Sequence, residues 1–310
     1  MLEVILLGCG GSMPLPNRYL SAALIQYKGR KILIDCGEGT QVSMREIKSG
    51  FKTLDLICLT HLHGDHINGL PGLLATVGNS GRTEPILIIG PTGTEKIWEG
   101  IKMLVPYLPF AVEVLEKPLE VDSLTLSYYD EEIQLTTLDL DHSSFCLGYR
   151  FDVKRQPKFD VEKAVANQVP KHLWNTLQKQ TNQVCFENKV YTKEMVLGSS
   201  RQGIRVSFVT DTRPIATISQ FIEKSDLFIC EGTYGDEADL DRAKAHKHMT
   251  FSEAANLAKQ GQVKQLLLTH FGVALTEPEQ YLDQVTTIFK NTKLGEDQLR
   301  VELNFALNHE

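Results

Sequence analysis

Short apolar runs, most of them closed by glycine, proline or an acidic turn, recur along the chain and read as buried strands. They fall at 3–8, 20–27, 30–35, 54–59, 86–89, 111–115, 123–129, 133–140, 145–153, 204–210, 227–230, 263–268 and 298–305. Lys28-Gly29 joins the second and third as a hairpin turn. Patterns with a helical period lie between them, at about 40–48, 67–77, 91–104, 250–260 and 276–290. Thr250-x-x-Glu253 forms a capping box that starts the fourth of these helices, and Gly261 follows its end. Strands alternating with helices predict an α/β fold.

One segment departs from this pattern. Residues 152–202 suggest two short helices, over 161–167 and 171–179, with no long alternation that would supply a core. The segment also carries nine basic and five acidic side chains, a balance of +4 in a chain whose net charge is −7. The reading is one domain over residues 1–310, with 152–202 a protruding basic arm within it. An acidic average excludes a protein coated for nucleic acid but permits a local basic grip.

Hydrophobic content of 42% and charged content of 23% are ordinary for a globular protein, and no run approaches the ~20 apolar residues of a membrane helix. The opening apolar run is short and has no basic lead, which favours a strand over a signal peptide. Six scattered cysteines without a Cys-x-x-Cys pair suggest free thiols in a reducing cytoplasm. The glycine-rich turn after the first strand matches neither a dinucleotide fingerprint nor a P-loop.

The chemistry concentrates where strands end. Thr60-His61-Leu62-His63-Gly64-Asp65-His66 follows the strand at 54–59, and His142, Asp211 and His270 each follow another. Histidine and carboxylate are zinc ligands, and strand ends converge at one edge of a sheet. This predicts a two-metal site with His61, His63 and His142 on one zinc and Asp65, His66 and His270 on the other. Asp211 would bridge them. Manganese or iron could substitute, because such donor sets accept several divalent metals. Two metals sharing a water favour hydrolysis. His248 lies just ahead of the capping box and outside this ligand set, which suits a general acid. Glu231, at another strand end, could orient it.

These residues resemble the HxHxDH signature of the metallo-β-lactamase superfamily, and nearly the whole chain resembles the ribonuclease Z family of tRNA 3′-processing endonucleases. Asp35-Cys36-Gly37-Glu38-Gly39-Thr40-Gln41, Gly90-Pro91, Asp211-Thr212, Glu231-Gly232-Thr233 and His248-Met249-Thr250 carry the family likeness. The resemblance implies a four-layer αββα sandwich, two zincs, and a homodimer whose arm grips precursor tRNA for the neighbouring subunit. It implies that hydroxide attacks the phosphorus after the discriminator nucleotide, with Asp65 positioning the water. His248, supported by Glu231, would protonate the departing 3′ oxygen. Arg18 in the first loop, and Lys154, Arg155, Lys158, Lys171 and Lys179 in the arm, would contact RNA. The family's first-loop lysine and asparagine, the serine and arginine after the last ligand, and the arm's Gly-Pro tip are all replaced here. A hydrolase of small phosphodiesters or sulfate esters is the alternative, and a catalytically silent RNA-binding protein the remote one.

Overall fold

The computed structural model describes residues 1–117, 124–125, 133–179 and 182–306. Two seven-stranded sheets dominate it. The first runs Arg300–Leu303, Leu2–Gly8, Ala22–Tyr27, Arg30–Ile34, Leu54–Cys58, Ile86–Gly90 and Val112–Glu116 in spatial order. The second runs Thr292–Leu294, Leu266–Thr269, Leu227–Glu231, Arg201–Val209, Cys146–Arg155, Ile133–Leu140 and Leu124–Thr125. Each is mixed: antiparallel hairpins on one side give way to parallel strands whose crossovers are helices.

Parallel strands covered on both faces need apolar residues at nearly every position, as the fully buried Leu54–Cys58 shows. On the first sheet, Met44, Leu73, Leu74, Val77 and Ile101 from three helices pack against Leu24, Leu33, Ile57 and Ile88. The helix Phe251–Gln260 packs against Leu227–Glu231 and Leu266–Thr269 of the second sheet. The sheets meet through buried Tyr149, whose hydroxyl donates to the Leu59 carbonyl at 2.6 Å. This is the expected four-layer αββα order.

The chain divides into two compact units. One comprises Met1–Asp152 with Ile204–Asn304, and the other Val153–Gly203 with Phe305 and Ala306. The second unit corrects the expectation of a coreless segment. Ala164, Val169, Leu173, Leu177, Tyr191, Val196 and Leu197 form a small core of its own, flanked by Phe159 and Trp174. Part of it comes from a hairpin, Gln183–Phe186 with Lys189–Thr192, that the sequence pattern does not announce. Its turn residues Glu187 and Asn188 both take left-handed φ, 49° and 60°, without the Asn-Gly pair that usually marks such a turn.

The helix expected over 67–77 is two pieces, Gly64–Ile67 and Leu70–Asn79. Pro71 has no amide to continue the ladder, so the second helix starts there. The helices Ala216–Phe221 and Leu240–His246 and the strand Thr292–Leu294 are additional elements. The strand expected near 123–129 lies outside the described residues except for Leu124–Thr125. Thr250 and Glu253 form both halves of the expected capping box.

Candidate metal centre

Three residues leave their strands through left-handed backbone: Asp35 at φ 58°, Asp211 at 50° and His270 at 56°. Such φ values are sterically costly for residues with a Cβ and cluster where function over-determines the backbone. Here they turn three side chains toward one edge of the sheets. Gly11 lies so close to His270 that an added Cβ would sit 2.5 Å from the imidazole Cε1.

The donors form two adjoining groups. His61, His63 and His142 present ligand atoms within 4.8 Å of one another, and so do Asp65, His66 and His270. In the first, His63 Nδ1 is 3.0 Å from His61 Nε2 and 3.4 Å from His142 Nε2. In the second, His66 Nε2 is 3.2 Å from His270 Nε2, and Asp65 Oδ2 is 3.6 and 3.5 Å from those nitrogens. Buried Asp211 stands between, its Oδ2 2.9 Å from His66 Nε2 and 3.8 Å from His61 Nε2. Its Oδ1 lies 3.3 Å from His270 Nε2.

The atoms behind these rings set their tautomers. Thr60 donates its hydroxyl to Asp35, 2.8 Å away, so at 3.1 Å it accepts from His61 Nδ1–H. Thr233 repeats the device: it donates to Glu231 at 2.7 Å and accepts from His270 Nδ1–H at 3.2 Å. His66 Nδ1 donates directly to Asp35 at 2.7 Å, and His142 Nδ1 to the Lys247 carbonyl at 3.3 Å. Four imidazoles therefore aim Nε2 lone pairs inward. Lone pairs facing one another at such distances need a cation between them, and outer hydrogen bonds of this kind characterise metal-bound histidine. The donor set fits divalent metal.

Electrostatics agree with a site built around positive charge. Burial opposes ionisation of Asp211, but His270, His66 and His61 outweigh it and hold the carboxyl well below the usual range. Burial likewise opposes the charge of Asp65, and His270 and His66 reverse the sign. Burial, reinforced by His66, pushes His61 down to about 2, whereas Asp211 and Asp35 raise His66 against its burial.

His248 sits beside these groups rather than inside either. Its Nδ1 is 3.1 Å from Glu231 Oε2, 3.2 Å from Asp211 Oδ1 and 3.3 Å from Thr233 Oγ1. Burial disfavours its charge, but Glu231 and Asp211 raise it to about 9. Glu231 is fully buried and anchored by the backbone amides of Thr212 and Met249 at 2.6 and 3.1 Å. A cavity of about 500 Å³ opens over the cluster, lined by His63, Asp65, His142, Asp211, His248 and His270 among others.

Sequence reasoning named Asp35, Thr60 and Thr233 only within motifs and gave none of them a role in the site. Asp35 carries the same signal as the other ligand-type residues, a carboxylate directly after an apolar strand, whereas the two threonines are marked only by their place in the family motifs. Arg18 is placed apart from the donors: its guanidinium donates to the Leu275 and Thr276 carbonyls at 2.8 and 3.4 Å and lies over Phe271. Lys154, Lys158, Lys171 and Lys179 are exposed in the second unit. Arg155, in the same unit, donates to the Ala306 carbonyl at 2.6 Å.

A family profile described as Anti-Pycsar protein Apyc1 matches residues 2–143. Among solved structures, the short form of human tRNase Z superposes with a TM-score of 0.69 at 26% identity, covering 98% of this chain and 100% of that one. The Bacillus subtilis metallo-β-lactamase-fold protein YhfI gives a TM-score of 0.69 at 19% identity, covering 97% of this chain and 98% of that one, and speaks to the fold alone. Ribonuclease Z of Clostridium beijerinckii is 55% identical over 305 residues, 98% of this chain and 99% of that protein. Ribonuclease Z of Clostridioides difficile is 54% identical over 308 residues, with the same coverage. With more than half of its residues shared across nearly its full length, this metallo-β-lactamase-fold chain belongs to the ribonuclease Z family.

Proposed function

We propose that the chain is an endoribonuclease that removes 3′ trailers from precursor tRNA, cutting after the discriminator nucleotide. The products are a tRNA 3′-hydroxyl and a 5′-phosphorylated trailer. Membership of the ribonuclease Z family supports the substrate. The observation that carries the mechanism is the contact of His248 with buried Glu231 at the rim of the two donor groups.

His61, His63 and His142 would hold one zinc, and Asp65, His66 and His270 the other, with Asp211 between them. When bound, the pair supplies an acidified water and Lewis-acid stabilisation of phosphoryl charge. The chain's own groups do the rest. Asp65, fixed at Oδ2 by the Ser12 amide at 2.6 Å, orients the attacking water. Glu231 accepts from His248 Nδ1, which leaves Nε2 to give its proton to the departing 3′ oxygen. Thr233 ties Glu231 to His270, so the acid and the metal ligand share one rigid support.

Zinc as the resident metal, a homodimer and a cytoplasmic setting complete this reading. The free thiols support the last of these. Within it, residues 152–202 form the arm that grips tRNA for the partner subunit, through Lys154, Arg155, Lys158, Lys171 and Lys179. Arg18 acts from the first loop, its guanidinium held by backbone carbonyls. The test is incubation with a 3′-extended precursor tRNA and mapping of the cut. A single cut after the discriminator nucleotide, leaving a 3′-hydroxyl, is expected. Hydrolysis of a small chromogenic phosphodiester without cleavage of the precursor would replace this function with the small-substrate alternative.

A further inference from the structure

A second cavity of about 370 Å³ shares Ser12, His246 and His248 with the one over the donor groups, yet none of His63, Asp65, His142 or Asp211 lines it. Its walls include Tyr234, Arg242 and Tyr281. The Arg242 guanidinium lies 5.7 Å from the Tyr234 ring centroid, and the Tyr234 ring lies 6.5 Å from that of His248. Tyr281 is a fixed wall: it packs on Gly235, where an added Cβ would meet its ring at 2.3 Å, and edge-on against Phe251. The Tyr234 hydroxyl is paired with His246 Nδ1 at 2.8 Å.

Aromatic faces and guanidinium planes are the surfaces on which proteins stack unpaired RNA bases. The volume suits a small ligand. Asp236 and Asp239 also line the cavity, which disfavours a second phosphate there and favours the uncharged part of a nucleotide. In-line displacement places the attacking water and the leaving oxygen on opposite sides of the phosphorus. Asp65, which orients the water, lines only the first cavity, whereas His248, which serves the leaving oxygen, lines both.

We infer that this cavity is a nucleoside subsite holding the base whose own 3′ oxygen departs, stacked against Tyr234 and Arg242. The assignment rests on the proposed tRNA-processing function and adds where the last retained nucleotide binds. It is tested with two precursor tRNAs, one intact and one abasic at the discriminator position, cleaved by the wild-type enzyme and by Tyr234→Ala and Arg242→Ala. Thermal melting and metal content report folding of each variant. In the wild type the abasic precursor should lose at least about fivefold in kcat/KM, the low end of one base–aromatic stack. In Tyr234→Ala the two precursors should converge, with Tyr234→Phe restoring the difference. Equal cleavage of both precursors by the wild type overturns the subsite. So does discrimination that survives intact in both alanine variants. Failure of the wild type to cut even the intact precursor overturns the parent function, and this inference with it.

Discussion

His66 Nδ1 donates to Asp35 Oδ2 at 2.7 Å, and both side chains are fully buried. The same carboxylate accepts from the Thr60 amide at 2.8 Å and from the Thr60 hydroxyl. One residue outside the donor set thus orients His66 directly and His61 through Thr60. Losing an outer partner of this kind typically costs 10–100-fold in metal affinity or activity. Asp35→Ala is expected to lose metal to a competing chelator at about that factor, and Asp35→Asn less, because its amide oxygen still accepts. Elemental analysis after dialysis decides. Unchanged retention of metal in the alanine variant would remove Asp35 from the orienting role.

Cys9, Cys36, Cys58, Cys146 and Cys230 are buried, and burial raises the thiol pKa of each. Cys185, on the hairpin of the second unit, is exposed. A disulfide-exchange reagent should therefore titrate one thiol per native chain and all six after guanidinium unfolding. A second thiol reacting at the fast rate would show that one of the five is reached from solvent in the native state.

The central strands of the two sheets were legible because they are largely apolar, buried runs, and Leu54–Cys58 followed by His61 is the clearest case. A ligand-type residue at the end of such a run marks itself. What stayed hidden depends on partners distant in sequence. Thr233 acts only because Glu231, His248 and His270 fold around its hydroxyl, and nothing near it in the chain signals that. The second unit's core was hidden for another reason. Its apolar positions, from Phe159 to Leu197, are spread over short helices and four-residue strands too brief to show a period.

The basic balance of residues 152–202 makes a prediction about salt. Lys154, Lys158, Lys171 and Lys179 are exposed, and thermal melting of a variant lacking them checks that the fold is kept. Each lysine that meets a phosphate contributes about 0.7–0.9 to the slope of log affinity against log salt. Replacing all four by glutamine is expected to raise KM for precursor tRNA and flatten that slope, while kcat at saturation holds. Filter binding across a salt series measures it. An unaltered slope would place the tRNA grip elsewhere.

His248 belongs to a further potential donor trio with Asp211 and His270, so the same geometry permits a ligand or an acid. The two roles separate cleanly under substitution. Its Nδ1 already lies 3.1 Å from Oε2 of Glu231, a fully buried carboxylate. A general acid contributes typically 10²–10⁴-fold. His248→Ala is therefore expected to lower kcat on precursor tRNA by about that factor while the metal content per chain stays that of the parent enzyme. Glu231→Gln should lower kcat less, because the amide still positions the ring but no longer favours the imidazolium. The Gln variant should also keep its metal, since Glu231 reaches the donor groups through Thr233, His248 and the Thr212 amide rather than as a ligand itself. Joint measurement of zinc content and single-turnover rate distinguishes the cases: a His248→Ala protein that loses zinc in proportion to activity makes His248 a ligand.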